Sequence, residues 1–156
     1  MRGLNKSKEN EVLYQELGNK ENKLFSSMKE VYVLAALIGG LVNKREAFNE
    51  NGGDAIKGEL FNRVEKTFFD FIAIDSTKDL NILKLDEENE EEKAKLIEGY
   101  SNGGMYILKE YLGEEFLNLD NFINAIENID KFIDEERAKN SNSLNEILRN
   151  INITIK

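Results

Sequence analysis

Apolar residues recur along most of this chain at intervals of three and four, and in one place that rhythm runs straight through a pair of glycines. Leu96, Tyr100, Ile107, Leu108, Tyr111 and Leu112 share one face at 3.6 residues per turn, and Gly103 and Gly104 fall on the same face. A glycine inside a helix costs about 1 kcal/mol relative to alanine. Two of them on an apolar face therefore predict that another backbone approaches closely where no side chain stands. The helix is expected to run from Glu87 to about Leu112 and to end at Gly113, in the position of a C-cap glycine.

The remaining elements follow from the same periodicity. Leu24, Met28, Val31, Leu34, Ala35, Ile38, Leu41 and Val42 form the stripe of a central buried helix, with Gly39-Gly40 near its end. Leu60, Phe61, Val64, Phe68, Phe71 and Ile72 predict a helix over 58 to 74 whose bulky aromatic face is core. A third stripe, Phe122, Ile123, Ile126, Ile129 and Ile133, begins a helix at Leu119-Asp120.

Between and around these helices the signals are weaker. Residues 1–22 are polar, with Val12, Leu13 and Leu17 supporting at most a short helix, and read as a mobile or weakly docked segment. Asn51-Gly52-Gly53-Asp54 is turn chemistry, so a loop or small hairpin is expected over 43–58. Asp75-Ser76-Thr77 and Asp79 make a polar break, followed by the short apolar patch Leu80, Ile82, Leu83 and Leu85. Asn140-Ser141-Asn142-Ser143 reads as a turn, with Ser143 capping a last helix that carries Leu144, Ile147, Leu148 and Ile151. The alternation from Ile151 to Ile155 reads as a frayed terminus, with an edge strand or a partner-bound tail as the other readings. The sum is an all-α single domain of five or six helices, with a helical core over 23–139 and a C-terminal helix and tail over 140–156.

Composition removes most chemistry. The 156 residues include no cysteine, no histidine and no proline. That excludes disulfides, thiol catalysis and cysteine-type zinc sites, and it removes the commonest general base. The glycine pairs lack the Gly-x-x-x-x-Gly-Lys-Ser/Thr pattern of a phosphate loop. Carboxylate pairs such as Glu110 with Glu114 and Asp134 with Glu135 are what 30 acidic residues produce by chance. Asp86, Glu87, Glu88, Glu90, Glu91 and Glu92 suit the solvated first turn of a helix and lack EF-hand spacing. No catalytic residue, cofactor or metal is expected, and the chain reads as a non-enzyme.

A net charge of −9 repels a phosphate backbone. Direct nucleic-acid contact would require Lys44, Arg45, Lys57 and Arg63 to gather on one face, and it is otherwise expected to be indirect. The longest apolar run, Val31 to Val42, is too short to cross a bilayer, so the cytoplasm is the expected location. The residues that stand out are Tyr100, Asn102, Gly103 and Gly104, either as the close contact between helices or as a face offered to a partner protein.

Several segments also resemble a known family. Phe25-x-x-Met28-Lys29-Glu30-Val31-x-Val33-x-Ala35-Ala36-x-Ile38-Gly39, then Lys44-Arg45-Glu46-x-Phe48, Leu60-Phe61 and Glu98-Gly99-Tyr100-Ser101-Asn102-Gly103-Gly104-x-x-Ile107-Leu108 are similar to the Dnd system-associated protein 4 family, over roughly residues 24 to 126. Gly99 and Ser101 depart from the family's Glu-Glu-Tyr-Ala-Asn-Gly-Gly. The resemblance implies a small bacterial protein linked to DNA phosphorothioation and related anti-phage defence. It implies an accessory subunit or adaptor packed beside an ATPase or nuclease, and it carries over no catalytic residue. The other reading is a regulatory module that senses DNA or a phage component directly.

Overall fold

The computed structural model describes residues 1–18, 21, 24–114 and 117–155, with side chains described as far as Lys139. It is all-α: α1 (Glu11–Leu17), α2 (Met28–Leu41), α3 (Arg63–Thr77), α4 (Glu87–Leu112) and α5 (Leu119–Ile155), with short 3₁₀ turns at Lys8–Asn10, Gly58–Leu60 and Leu80–Leu83. No helix among the described residues is long and apolar enough to cross a membrane.

α2 and α4 form the centre. Val31, Tyr32, Ala35, Ala36, Ile38 and Gly39 of α2 are buried, and α4 is buried continuously from Leu96 to Met105. Asp86 caps α4 by accepting from the Asn89 amide at 2.9 Å, and Glu87, Glu88 and Glu90 lie in the first turn, where carboxylates complement the helix dipole. Gly113, at φ 65°, ends it as expected.

α3 starts later than the apolar pattern suggests. Asn62 and Glu65 form a reciprocal capping box, so the helix begins at Arg63 and Phe61 stays outside it. Phe61 turns into the core, with its ring centroid 5.1 Å from that of Phe69 and 6.1 Å from that of Tyr32. The face expected to be core is divided. Phe61 and Phe69 are buried, whereas Leu60, Val64, Phe68 and Phe71 stand in solvent. The patch after α3 resolves into the 3₁₀ turn, with Ile82 buried against Ala73 and Leu96.

Two other expectations change, and that of a loop or small hairpin over 43–58 narrows to the loop. Residues 1–17, expected to be mobile or weakly docked, are packed: Leu4, Tyr14 and Leu17 are almost wholly buried and Val12 points outward. The segment over 43–58 makes no hairpin with itself, because its partner is the N-terminus. Leu4 and Ile56 exchange two 2.9 Å backbone hydrogen bonds, and Gly52 and Lys8 extend the antiparallel pairing through Lys6 and Glu50. The turn expected at Asn140–Ser143 is helix, since α5 runs on to Ile155. No glycine or proline occurs after Gly113, and asparagine and serine cost only a few tenths of a kcal/mol each in a helix, too little to end it. The expected capping by Ser143 involves a side chain outside the described residues. α5 lays Ala125, Ile129 and Ile133 on the core, with Phe122 edge-on to Phe25 and Phe132 beside Tyr111.

Candidate functional site

The glycines of α4 mark where two other backbones touch it. A Cβ built on Gly104 would stand 1.8 Å from the Ala35 carbonyl oxygen, and one on Gly103 would fall inside the Lys44 carbonyl. α2 reciprocates, because a Cβ on Gly39 would fall inside the Tyr100 carbonyl. The three positions together let α2, α4 and the strand of chain after α2 meet backbone to backbone. Two further bonds fix that strand: the Lys44 amide donates to Gly39 O at 2.8 Å, and the Glu46 amide to Gly99 O at 3.0 Å.

The polar residues of the same segment hold the N-terminus. Asn102 is 3% exposed and uses both ends of its amide. Its Oδ1 accepts from Ser7 Oγ at 2.6 Å and Asn10 Nδ2 at 2.8 Å, while its Nδ2 donates to Glu46 O at 3.0 Å. One side chain thus ties the N-terminal segment and the loop after α2 to α4. Ser101 Oγ lies 2.7 Å from the Tyr14 hydroxyl and 3.4 Å from the Tyr32 carbonyl. Tyr100 turns to the other side, donating to Asn43 Oδ1 at 2.9 Å and Ser76 Oγ at 3.1 Å. Among the described residues, Asn10 Oδ1 is the one buried side-chain polar atom with no partner.

Charge closes the near end of the segment. The Arg2 guanidinium donates to both Glu98 oxygens, at 2.6 and 3.2 Å, and to Glu91 at 2.6 Å, while the Asn5 amide adds a 2.8 Å bond to Glu98. The bond to Glu98, ahead of that to Glu91, raises the Arg2 pKa above its ordinary value, and Arg2 in turn holds the Glu91 carboxyl below the usual range. Burial pushes the Tyr14 and Tyr32 phenols up and the Lys6 ammonium down, and Lys6 donates to the Asp54 carbonyl.

Tyr100, Asn102, Gly103 and Gly104 are therefore enclosed within this chain. The four cations considered for nucleic acid are not brought together. Lys44 and Arg45 sit beside Gly103 and Gly99, at the end of α2. Arg63 opens α3 near the start of α2, where Lys29 pairs with Glu65 at 2.7 Å. The 14 residues of α2 separate the two places by about 20 Å. Lys57 adjoins Gly58, which packs on Met1, and Lys44 shares a groove of balanced charge with Lys109, Glu46 and Glu110.

A cleft of about 550 Å³ lies between residues 7–9, residues 47–50 and Tyr106. Its charged groups already have partners: Lys8 pairs with Glu50 at 3.1 Å, and Tyr106 donates to Glu9. Among the described residues no three acidic side chains converge as metal ligands would.

Sequence reasoning missed Arg2, Ser7, Asn10 and Tyr14, which complete the site from about 90 positions away. Tyr14 and Leu17, three apart and both buried, were the signal on which the docking could have been read.

No curated protein and no solved structure matches the chain. A family model does match, over residues 4–147, starting well ahead of residue 24 and taking in the segment that packs on Asn102. With most of its length matched, the chain belongs to the family described as DNA sulphur modification system-associated protein 4.

Proposed function

We propose that this protein is a non-catalytic accessory subunit or adaptor of a DNA sulphur modification system in bacterial anti-phage defence. It acts in the cytoplasm, by packing against other proteins of the system, among them an ATPase or nuclease. The family's description ties the chain to such a system. The observation that carries the rest is the division of labour between interior and surface. Glu98 to Gly104, the most distinctive residues, face inward and build a rigid body. Large apolar side chains stand outside, Leu80 at 71% and Leu85 at 89% exposure on the ridge before α4. Such residues on a rigid platform are what a protein contact uses. The separation of Arg63 from Lys44 and Arg45 favours this reading over direct sensing of DNA.

Co-expression of the tagged chain with the other proteins of its system tests the proposal. A stoichiometric complex is expected, with recovery reduced several-fold by Leu85→Asp. Recovery of the chain alone under all combinations would count against it.

A further inference from the structure

The outer face of α3 carries apolar side chains that nothing among the described residues covers. At 100° per residue Val64, Phe68 and Phe71 fall within roughly 60° of one another. They point away from buried Phe69 and Ala73 and are 62%, 43% and 65% exposed; Leu60, 56% exposed, stands just before them. The same stripe continues to Asp75 at its C-terminal end, and Arg63 opens the helix about 80° round from Phe71, with a side chain long enough to reach the stripe; both are exposed.

We propose that this face pairs with the same face of a second copy of the chain, the two α3 helices running antiparallel about a two-fold axis near Phe68. That arrangement sets Val64 of each copy across from Phe71 of the other, brings the two Phe68 rings together and places each Arg63 against the other copy's Asp75. A parallel pair would oppose like charges at both ends. Asp75 now pairs with Lys78, three residues on, but both side chains are 74% exposed and such a pair holds its members weakly. Antiparallel helices also set their dipoles in the favourable sense.

Charge and area define what kind of dimer this is. From Lys57 to Asp79 four cations and five acids leave a net of −1, against −9 for the whole chain. Two copies can therefore meet here with little of their mutual repulsion. The four apolar side chains offer roughly 400 Å² per copy, about half of what each partner contributes to a standard interface. The dimer is accordingly weak and concentration-dependent rather than obligate.

Sedimentation velocity on the purified full chain, from about 1 to about 500 µM, covers the range an interface of this size allows. The average mass is expected to climb toward twice that of the monomer. Phe71→Asp should hold it at the monomer value throughout, with an unchanged circular dichroism spectrum because Phe71 is a surface residue. Arg63→Asp should weaken association at least tenfold, and Arg63→Asp combined with Asp75→Arg should restore it. A chain that stays monomeric at the highest concentration overturns the proposal, as does a dimer that survives both Phe71→Asp and Val64→Asp. A monomer that instead binds another protein of the system through Phe71 also overturns it, by assigning the face to that protein. The self-association results leave the accessory-subunit reading untouched, since co-purification through Leu85 decides it separately; capture of a system protein through Phe71 would end the dimer while supporting that reading.

Discussion

Gly104→Ala is expected to destabilise this protein, although alanine is the better helix former. The added Cβ would lie 1.8 Å from the Ala35 carbonyl oxygen and 2.6 Å from its carbon. Those atoms belong to the hydrogen-bonded backbone of α2 and cannot rotate aside. Contact distance is restored only if α2 withdraws from α4 by about 1.5 Å, which loosens dispersion contacts along both helices. It also stretches the contact between Gly39 and Tyr100 and the bond from Ser101 to the Tyr32 carbonyl. Overpacking of a tight core costs typically 1–3 kcal/mol, and a backbone clash belongs at the upper end, about 3 kcal/mol. Removing a helical glycine returns about 1 kcal/mol. The net loss is about 2 kcal/mol, or roughly 4–8 °C in Tm for a chain of this size. Gly40→Ala supplies the control. Its Cβ would meet Ile72 Cγ1 at 2.9 Å, a side chain that can swing away, so the variant should stay within about 1 kcal/mol of wild type. Urea denaturation followed by far-ultraviolet circular dichroism measures both. A Gly104→Ala protein as stable as wild type would refute the close-approach argument.

Other expectations follow from the same contacts. Asn102→Ala leaves Ser7, Asn10 and the Glu46 carbonyl without their buried partner, and should lower stability by about 3 kcal/mol and speed amide exchange over residues 4–17. Unchanged exchange there would show that Asn102 does not hold the N-terminus. Phe61→Ala should cost about 3–4 kcal/mol in denaturant titrations. Phe71→Ala should cost under about 1 kcal/mol, so equal losses would contradict the division between buried and exposed phenylalanines. Tyr14 and Tyr32, whose phenols burial holds above the ordinary value of 10, contribute to stability on the alkaline side. The unfolded chain ionises them first and binds fewer protons, so stability is fully present below about pH 10 and lost as pH rises beyond it. Tyr14→Phe should flatten that loss in melting curves taken as a function of pH. At the acid end, Ser26 holds the Glu30 carboxyl down through hydrogen bonds and Arg2 does the same for Glu91. The stability these carboxyls give is present above the ordinary carboxylate range and lost as pH falls through their lowered values. Arg2→Met should shift the acid transition upward.

Much of the fold was legible because α2 and α4 repeat their apolar residues over many turns. Gly103 and Gly104 were legible because glycine in a helix is costly enough to need a reason, and Ala35 and Lys44 supply it. The N-terminal segment was not legible. Ser7, Asn10 and Tyr14 recur with Leu17 at helical spacing, but Ser7 and Asn10 are polar, and the value of all three lies in partners on α4 that only the folded chain brings near. α3 was misread for a different reason. It bears two apolar stripes, and the one that holds Phe69 and Ala73, rather than the one that holds Phe68, faces the core. α5 shows the opposite error, since a cluster of asparagine and serine was given a stopping power that only glycine or proline has.

Amide exchange of residues 98–104, in the chain alone and in a purified complex with proteins of its system, distinguishes a segment that builds the fold from one that meets a partner. These residues are held here to build the fold, with the partner contact made elsewhere on the surface. They should then exchange only through global unfolding in the free chain, with no added local protection in the complex. Fast exchange in the free chain, slowed only when the complex forms, would show that the segment is a partner face after all.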